Sequence, residues 1–168
     1  GGLWRDVAIE AWSNAKLDGV QVMTKTIDDE KATMMTVVEV ESEKEQQGTL
    51  QINFGEEFQL NKTDQLENGH NKFVEEFEID EPELWWSNGL GKPHLYDFSA
   101  GLVLDGNLVD EEEFRTGIRT IEVVTEEDDH GRSFYVELNG TPVFMKGANY
   151  IPNDNFLNRV SDEKYEYI

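Results

Sequence analysis

The chain has 168 residues, with 14 Lys and Arg against 36 Asp and Glu, a formal charge of −22 and no cysteine. That length predicts one domain with pieces of neighbours. The acidic balance excludes a nucleic-acid partner, which needs a basic footprint, and argues equally against an anionic membrane. Zero cysteines exclude disulfides and thiolate metal sites.

The acid is distributed in runs: Asp28-Asp29-Glu30, Glu39 to Glu45, Glu75-Glu76, Glu111-Glu112-Glu113 and Glu126 to Asp129. Each run lies between apolar strand residues or alternates with them, which reads as solvated loops and strand faces. Calcium chelation is the functional alternative, and no loop has the D-x-[DN]-x-[DN]-G spacing it uses.

Taken in chain order, almost every signal is a strand signal. Trp4 to Trp12 alternates, with Val7, Ile9 and Ala11 on one face, and Asp18-Gly19 reads as a turn before Val20 and Val22. Lys31 to Glu41 is rich in the β-branched residues Thr33, Thr36, Val37, Val38 and Val40. Leu50, Ile52 and Phe54 share a face, Phe73, Phe77 and Ile79 mark a further strand, and Leu95 to Leu104 is a longer one. Asp105-Gly106 turns into Leu108 and Val109, and Gly117 to Thr125 adds Ile118, Ile121, Val123 and Val124. Seven or so short strands, with turn signals roughly every 8 to 12 residues, predict an all-β, immunoglobulin-like antiparallel β-sandwich, without its Cys-Trp-Cys signature. The one helix candidate starts at Ser161-Asp162-Glu163.

The segment from Phe134 to Phe156 is the most specific. Phe134, Val136 and Leu138 alternate with Tyr135 and Glu137, Asn139-Gly140 supplies the two positive-φ residues of a type I′ turn, and Thr141 to Met145 returns. After Gly147 the run Ala148-Asn149-Tyr150-Ile151, stopped by Pro152, reads as a new strand with a polar end, where α/β barrels keep their chemistry.

The hairpin, the phrase Phe144-Met145-Lys146-Gly147-Ala148-Asn149-Tyr150-Ile151-Pro152, and the following Asp154 and Phe156 resemble the opening of the barrel of glycoside hydrolase family 2, specifically its β-mannosidases. Gly2-Leu3-Trp4-Arg5-Asp6-Val7 is similar to the strand closing that family's jelly-roll domain. Trp85 to Tyr96, with Gly117-Ile118-Arg119, is similar to its immunoglobulin-like middle domain. The acidic stretch from Asp28 to Phe77 carries no motif.

The resemblance implies residues 1–24 as the end of a jelly-roll domain and linker, 25–125 as the sandwich, and 126–168 as the hairpin with the first strand and helix start of a (β/α)8 barrel. The parent is then a retaining glycosidase that removes terminal β-linked mannose from oligosaccharides through a covalent mannosyl-enzyme, exported or periplasmic. Its two catalytic glutamates lie on later barrel strands, so no catalytic residue is assigned to this chain, which is expected to be inactive alone. No cofactor or metal is implied. The expected partners are the remaining domains of the parent, with carbohydrate bound only by the intact enzyme. Other readings are a stand-alone carbohydrate-binding or adhesion sandwich, and the same family with β-galactosidase or β-glucuronidase specificity.

Three residues are carried over as substrate-binding. Asn149 would hydrogen-bond a sugar hydroxyl, Tyr150 would lie against the ring face, and Asp154 would hold a hydroxyl or orient a loop. The plain alternative is strand termination and loop capping, a routine use of Asn and Asp. Trp85-Trp86 has two readings, a sugar-stacking platform or a structural clamp before the Gly-rich bend and Pro93, and the clamp is preferred because large aromatics usually bury at seams. Arg5 and Arg119 read as interface or strand-end residues that pair with the surplus of acids. His70, His94 and His130 sit far apart in polar contexts, which favours neither catalysis nor metal binding. The sequons Asn61-Lys62-Thr63 and Asn139-Gly140-Thr141 have the glycosylation form.

Overall fold

The computed structural model describes residues 6–28 and 30–167, with only the backbone of Asp128. The chain divides into two units, one of residues 12–144 and one of 6–11 with 145–167.

In the larger unit seven strands, β1 (Ala15–Ile27), β2 (Lys31–Ser42), β3 (Gln46–Phe54), β4 (Phe58–Leu66), β5 (Gly69–Asp80), β6 (Tyr96–Leu104) and β7 (Asn107–Thr116), build two antiparallel sheets. Their orders are β1-β2-β5 and β4-β3-β6-β7. This is the predicted immunoglobulin-like sandwich, with the fourth strand paired to the third, not to the fifth. Alternation does the sorting. β2 turns Ala32, Met34, Val38 and Val40 inward, β3 turns Leu50, Ile52 and Phe54 inward, and β6 adds Phe98, Ala100 and Leu102, all buried in one core. Phe54 stacks on Tyr96 at 4.9 Å and tilts against Phe77 at 5.5 Å, fastening one sheet to the other.

Tyr96 opens β6, and its hydroxyl accepts the N–H of Glu83 at 2.8 Å. A tyrosine reaching back to upstream backbone is the corner device of this fold. Burial of the ring pushes its phenol pKa up.

Asp18-Gly19 is a bulge, not a turn. Leu17 pairs with Val40 and Gly19 with Glu39, so Asp18 is an extra residue within one continuous strand. β7 has its own bulge, since Asp110 pairs with Leu102 and Leu108 with Val103, leaving Val109 over. The two irregularities meet: the Leu17 N–H donates to Asp110 Oδ2 at 2.8 Å, joining the edge strands of opposite sheets.

The sandwich begins at Ala15, ahead of the expected boundary near residue 25, because β1 pairs with β2 from Ala15 onward. It ends with β7. The next strand, β8 (Ile121–Val124), leaves it and pairs with β11 (Tyr135–Leu138), which also pairs with β12 (Thr141–Val143) in a separate three-stranded sheet. Between them β9 (Glu127–Asp128) and β10 (Gly131–Arg132) form a short ribbon across the expected charged turn. The β11–β12 turn has φ of 51° at Asn139 and 71° at Gly140, the signature predicted for its type I′ turn.

In the smaller unit a 3-10 turn at Leu157–Arg159 precedes the helix α1 (Asp162–Tyr167), where the Ser161 carbonyl accepts from Lys164 and Tyr165 at 3.0 and 3.3 Å. No strand forms over 148–151 or 6–12. A strand needs a neighbour for its N–H and C=O groups, and no ladder among the described residues reaches either segment. The Gly2–Val7 motif, up to and including Arg5, lies outside the described residues.

Candidate functional site

A cluster of specific contacts lies where the sandwich hands over to the small sheet. Leu84 forms a parallel bridge with Ile118, and Trp85 an antiparallel bridge with Pro93. The Trp85 N–H donates to the Ile118 carbonyl at 2.8 Å and the Trp86 N–H to the Lys92 carbonyl at 3.0 Å. Both indoles are half-buried. Each lies on a glycine: a Cβ at Gly117 would sit 2.5 Å from Cβ of Trp85, and one at Gly91 would sit 2.8 Å from the Trp86 ring. The guanidinium of Arg119 stands over the Trp85 ring at 4.7 Å, an attraction to the negative ring face. Arg119 thus spends its charge on an indole, unlike the expected acid pairing. With the Trp85 ring engaged by Gly117 and Arg119, the clamp reading holds over the sugar platform.

Asn139 completes the junction. Its Oδ1 accepts the Thr120 N–H at 3.0 Å, its Nδ2 donates to the Trp85 carbonyl at 3.1 Å, and its own N–H donates to the Thr120 carbonyl at 3.0 Å. Sequence reasoning explained this residue by its φ alone and missed the latch. The same cluster borders an open cavity of about 460 Å³, with Lys25, Asp28, Leu84, Thr120, Glu122 and Asn139 on its walls.

The three residues carried over as substrate-binding lie in the smaller unit. Asn149 is exposed and Tyr150 is 46% exposed. Asp154 is half-buried, and its Oδ1 accepts the N–H of Phe156 at 2.7 Å, a local turn of the kind Asx residues make.

Among the described residues, the carboxyl groups with displaced pKa values move downward. Asp18 is lowered by the Lys16 ammonium, Asp28 by the N–H groups of Glu30 and Lys31, and Glu163 by the Ser161 hydroxyl. A glycosidase acid needs the opposite displacement, so none of these three suits that role. Elsewhere the acids meet lysines at the surface: Lys25 with Glu76, Lys31 with Glu78 and Lys62 with Glu75, at 2.6 to 2.7 Å. Among the histidines, His94 lies 3.3 Å from Glu83 and edge-on to Tyr96, beside the tyrosine corner.

Fold and junction together define a seven-stranded immunoglobulin-like sandwich with a hairpin latched to its exit. Residues 15–119 match the family model of glycosyl hydrolases family 2, and the chain belongs to that family. It is 34% identical over 168 residues to Beta-mannosidase B of Aspergillus fumigatus, covering 98% of this chain and 20% of that protein. Against Beta-mannosidase B of Aspergillus terreus it is 46% identical over 89 residues, 53% of this chain and 11% of the relative. Among solved structures it matches the β-D-mannosidase of Dictyoglomus thermophilum with a TM-score of 0.83 and 30% identity, covering 94% of this chain and 20% of that one. The chain spans about a fifth of the length of such relatives.

Proposed function

We propose that this chain is the non-catalytic sandwich portion of a retaining, β-mannosidase-like glycoside hydrolase, whose whole removes terminal β-linked mannose from oligosaccharides. The observation that carries this reading is an alignment running almost the full length of the chain yet covering only a fifth of Beta-mannosidase B. The sandwich acts as a spacer. The residues ahead of the first sandwich strand, which starts at Ala15, bring in the end of a jelly-roll domain and linker, and residues 126–168 open the catalytic barrel, whose two carboxyl groups, about 5 Å apart, belong to the remainder. Exposed apolar side chains at the junction support a covered face in a longer protein: Ile121 and Val123 are each 58% exposed, Phe134 78% and Phe144 83%. Asn149, Tyr150 and Asp154 then border the sugar pocket once the barrel closes beside them, with no cofactor.

The test is an assay of the purified chain on aryl β-mannosides, beside a longer polypeptide that includes the remainder. We expect turnover from the second only. Mannosidase activity that co-purifies with the isolated chain and survives repurification refutes the non-catalytic assignment. A longer polypeptide that cleaves β-galactosides or β-glucuronides in preference refutes the sugar assignment.

A further inference from the structure

Asn-Gly pairs occur at 68–69, 88–89 and 139–140. Asparagine is thermolabile, and its chemistry before glycine is intramolecular. The glycine peptide nitrogen gives up its proton and bonds to Cγ of the asparagine, the Cγ–Nδ2 bond breaks, and the nitrogen leaves as ammonia. Water then opens the resulting succinimide at either carbonyl, leaving aspartate or isoaspartate. Water is the sole co-reactant. The asparagine side chain must be free to swing over the next peptide, and that peptide's N–H must be free of other partners.

The three pairs differ on both counts. Asn88 is exposed, at the second position of a turn closed by the Leu90 N–H donating to the Ser87 carbonyl at 3.1 Å. Gly89 follows with φ of 87° and open space where a Cβ would stand, as at the third position of a type II turn, whose N–H the turn does not use. Asn68 is also exposed, but its glycine opens β5 opposite Ser42. The Asn71 side chain braces that turn, accepting from the Glu67 N–H at 2.8 Å and donating to the Glu67 and Gly69 carbonyls at 2.9 Å. Asn139 is pinned, its Oδ1 held by Thr120 and its Nδ2 by Trp85.

We propose that Asn88 is the site of spontaneous deamidation in the folded protein, and that the latch on Asn139 shields the Asn-Gly pair whose loss would unfasten the hairpin. The change at Asn88 adds a negative charge to the Ser87–Leu90 turn, and the isoaspartyl product lengthens its backbone by one methylene. At Asn139 the same chemistry would set a carboxylate against the Trp85 carbonyl.

The experiment is incubation of the purified chain in warm, mildly alkaline buffer, with peptide mapping by mass spectrometry over time, in parallel with the chain unfolded in urea. We expect Asn88 to convert first, ahead of Asn139 by about tenfold or more, since two hydrogen bonds must open before Asn139 reacts. Asn68 falls between them, and urea brings the three rates together. The proposal is overturned if Asn139 or Asn68 converts as fast as Asn88 in the folded chain. It is equally overturned if the spread persists in urea, because the order would then come from neighbouring residues and not from the fold.

Discussion

The side-chain amide of Asn139 donates to the backbone carbonyl of Trp85, 3.1 Å away across 54 positions of sequence. Its other end accepts from Thr120, so one side chain ties together the double-tryptophan bend, the sandwich exit and the hairpin turn. Asn139→Gly keeps the positive φ and removes both bonds. It should cost about 1–3 kcal/mol, from two hydrogen bonds at roughly 0.5–1.5 kcal/mol each. Urea unfolding of the two proteins measures this, and equal midpoints would show that the latch adds nothing.

Gly117 is required for its size. Its φ is outside the left-handed region, while a Cβ there would approach Cβ of Trp85 to 2.5 Å. Gly117→Ala should therefore destabilise by about 1–3 kcal/mol through overpacking and redshift the tryptophan emission as the indole is pushed outward. Unchanged stability and spectrum would mean that the bend relaxes at no cost.

Thr36 is buried in the core, and its Oγ1 has no hydrogen-bond partner. Valine keeps the shape and removes the unsatisfied hydroxyl, so Thr36→Val should raise stability by about 1–2 kcal/mol. A loss of stability in thermal or urea unfolding would contradict this account of the site.

Asp28 Oδ1 accepts from the N–H groups of Glu30 and Lys31 at 2.9 and 2.7 Å, which holds its folded pKa below the ordinary value. A depressed folded pKa adds stability that is present above the unfolded pKa of about 3.9 and disappears as pH falls through the folded value. Wild type should therefore be more stable than Asp28→Asn near neutral pH, with the gap closing below about pH 4. Unfolding curves collected across that range check the sign, and a gap independent of pH would rule out the carboxylate as its origin.

For Asn149 the prediction concerns the longer enzyme. Asn149→Ala should lower kcat/KM for an aryl β-mannoside by about tenfold or more, the loss of a substrate hydrogen bond whose partner is left unpaired. Kinetics within about twofold of wild type would leave Asn149 a loop residue.

Leu50, Ile52 and Phe54 were legible as one buried face because alternation has no other explanation over so short a run. Asn139-Gly140 and Asp105-Gly106 were legible as turns because both positions of each need positive φ, which they have. What failed depended on partners. Phe58–Leu66 was missed because the face that holds Phe58, Leu60 and Leu66 also carries Lys62 and Asp64, which interrupts the apolar alternation of this edge strand. Residues 121–124 read correctly as a strand but join another sheet, because local pattern does not say which neighbour a ladder will choose. The substrate residues came from resemblance, and Asp154 illustrates why residue type alone could not assign them, since its carboxylate serves its own loop.

The bond from Leu17 to Asp110 also bears on what happens between molecules. β1 and β7 are the outer strands of their sheets, where unpaired N–H and C=O groups would template another chain. Bulges in both strands, two in β1 and one in β7, break the flat row, and the Asp110 carboxylate occupies the Leu17 donor. A second molecule approaching that seam finds neither a straight edge nor a vacant donor at Leu17, so the seam is guarded against growth of intermolecular β-structure even where salt screens the protein's charge.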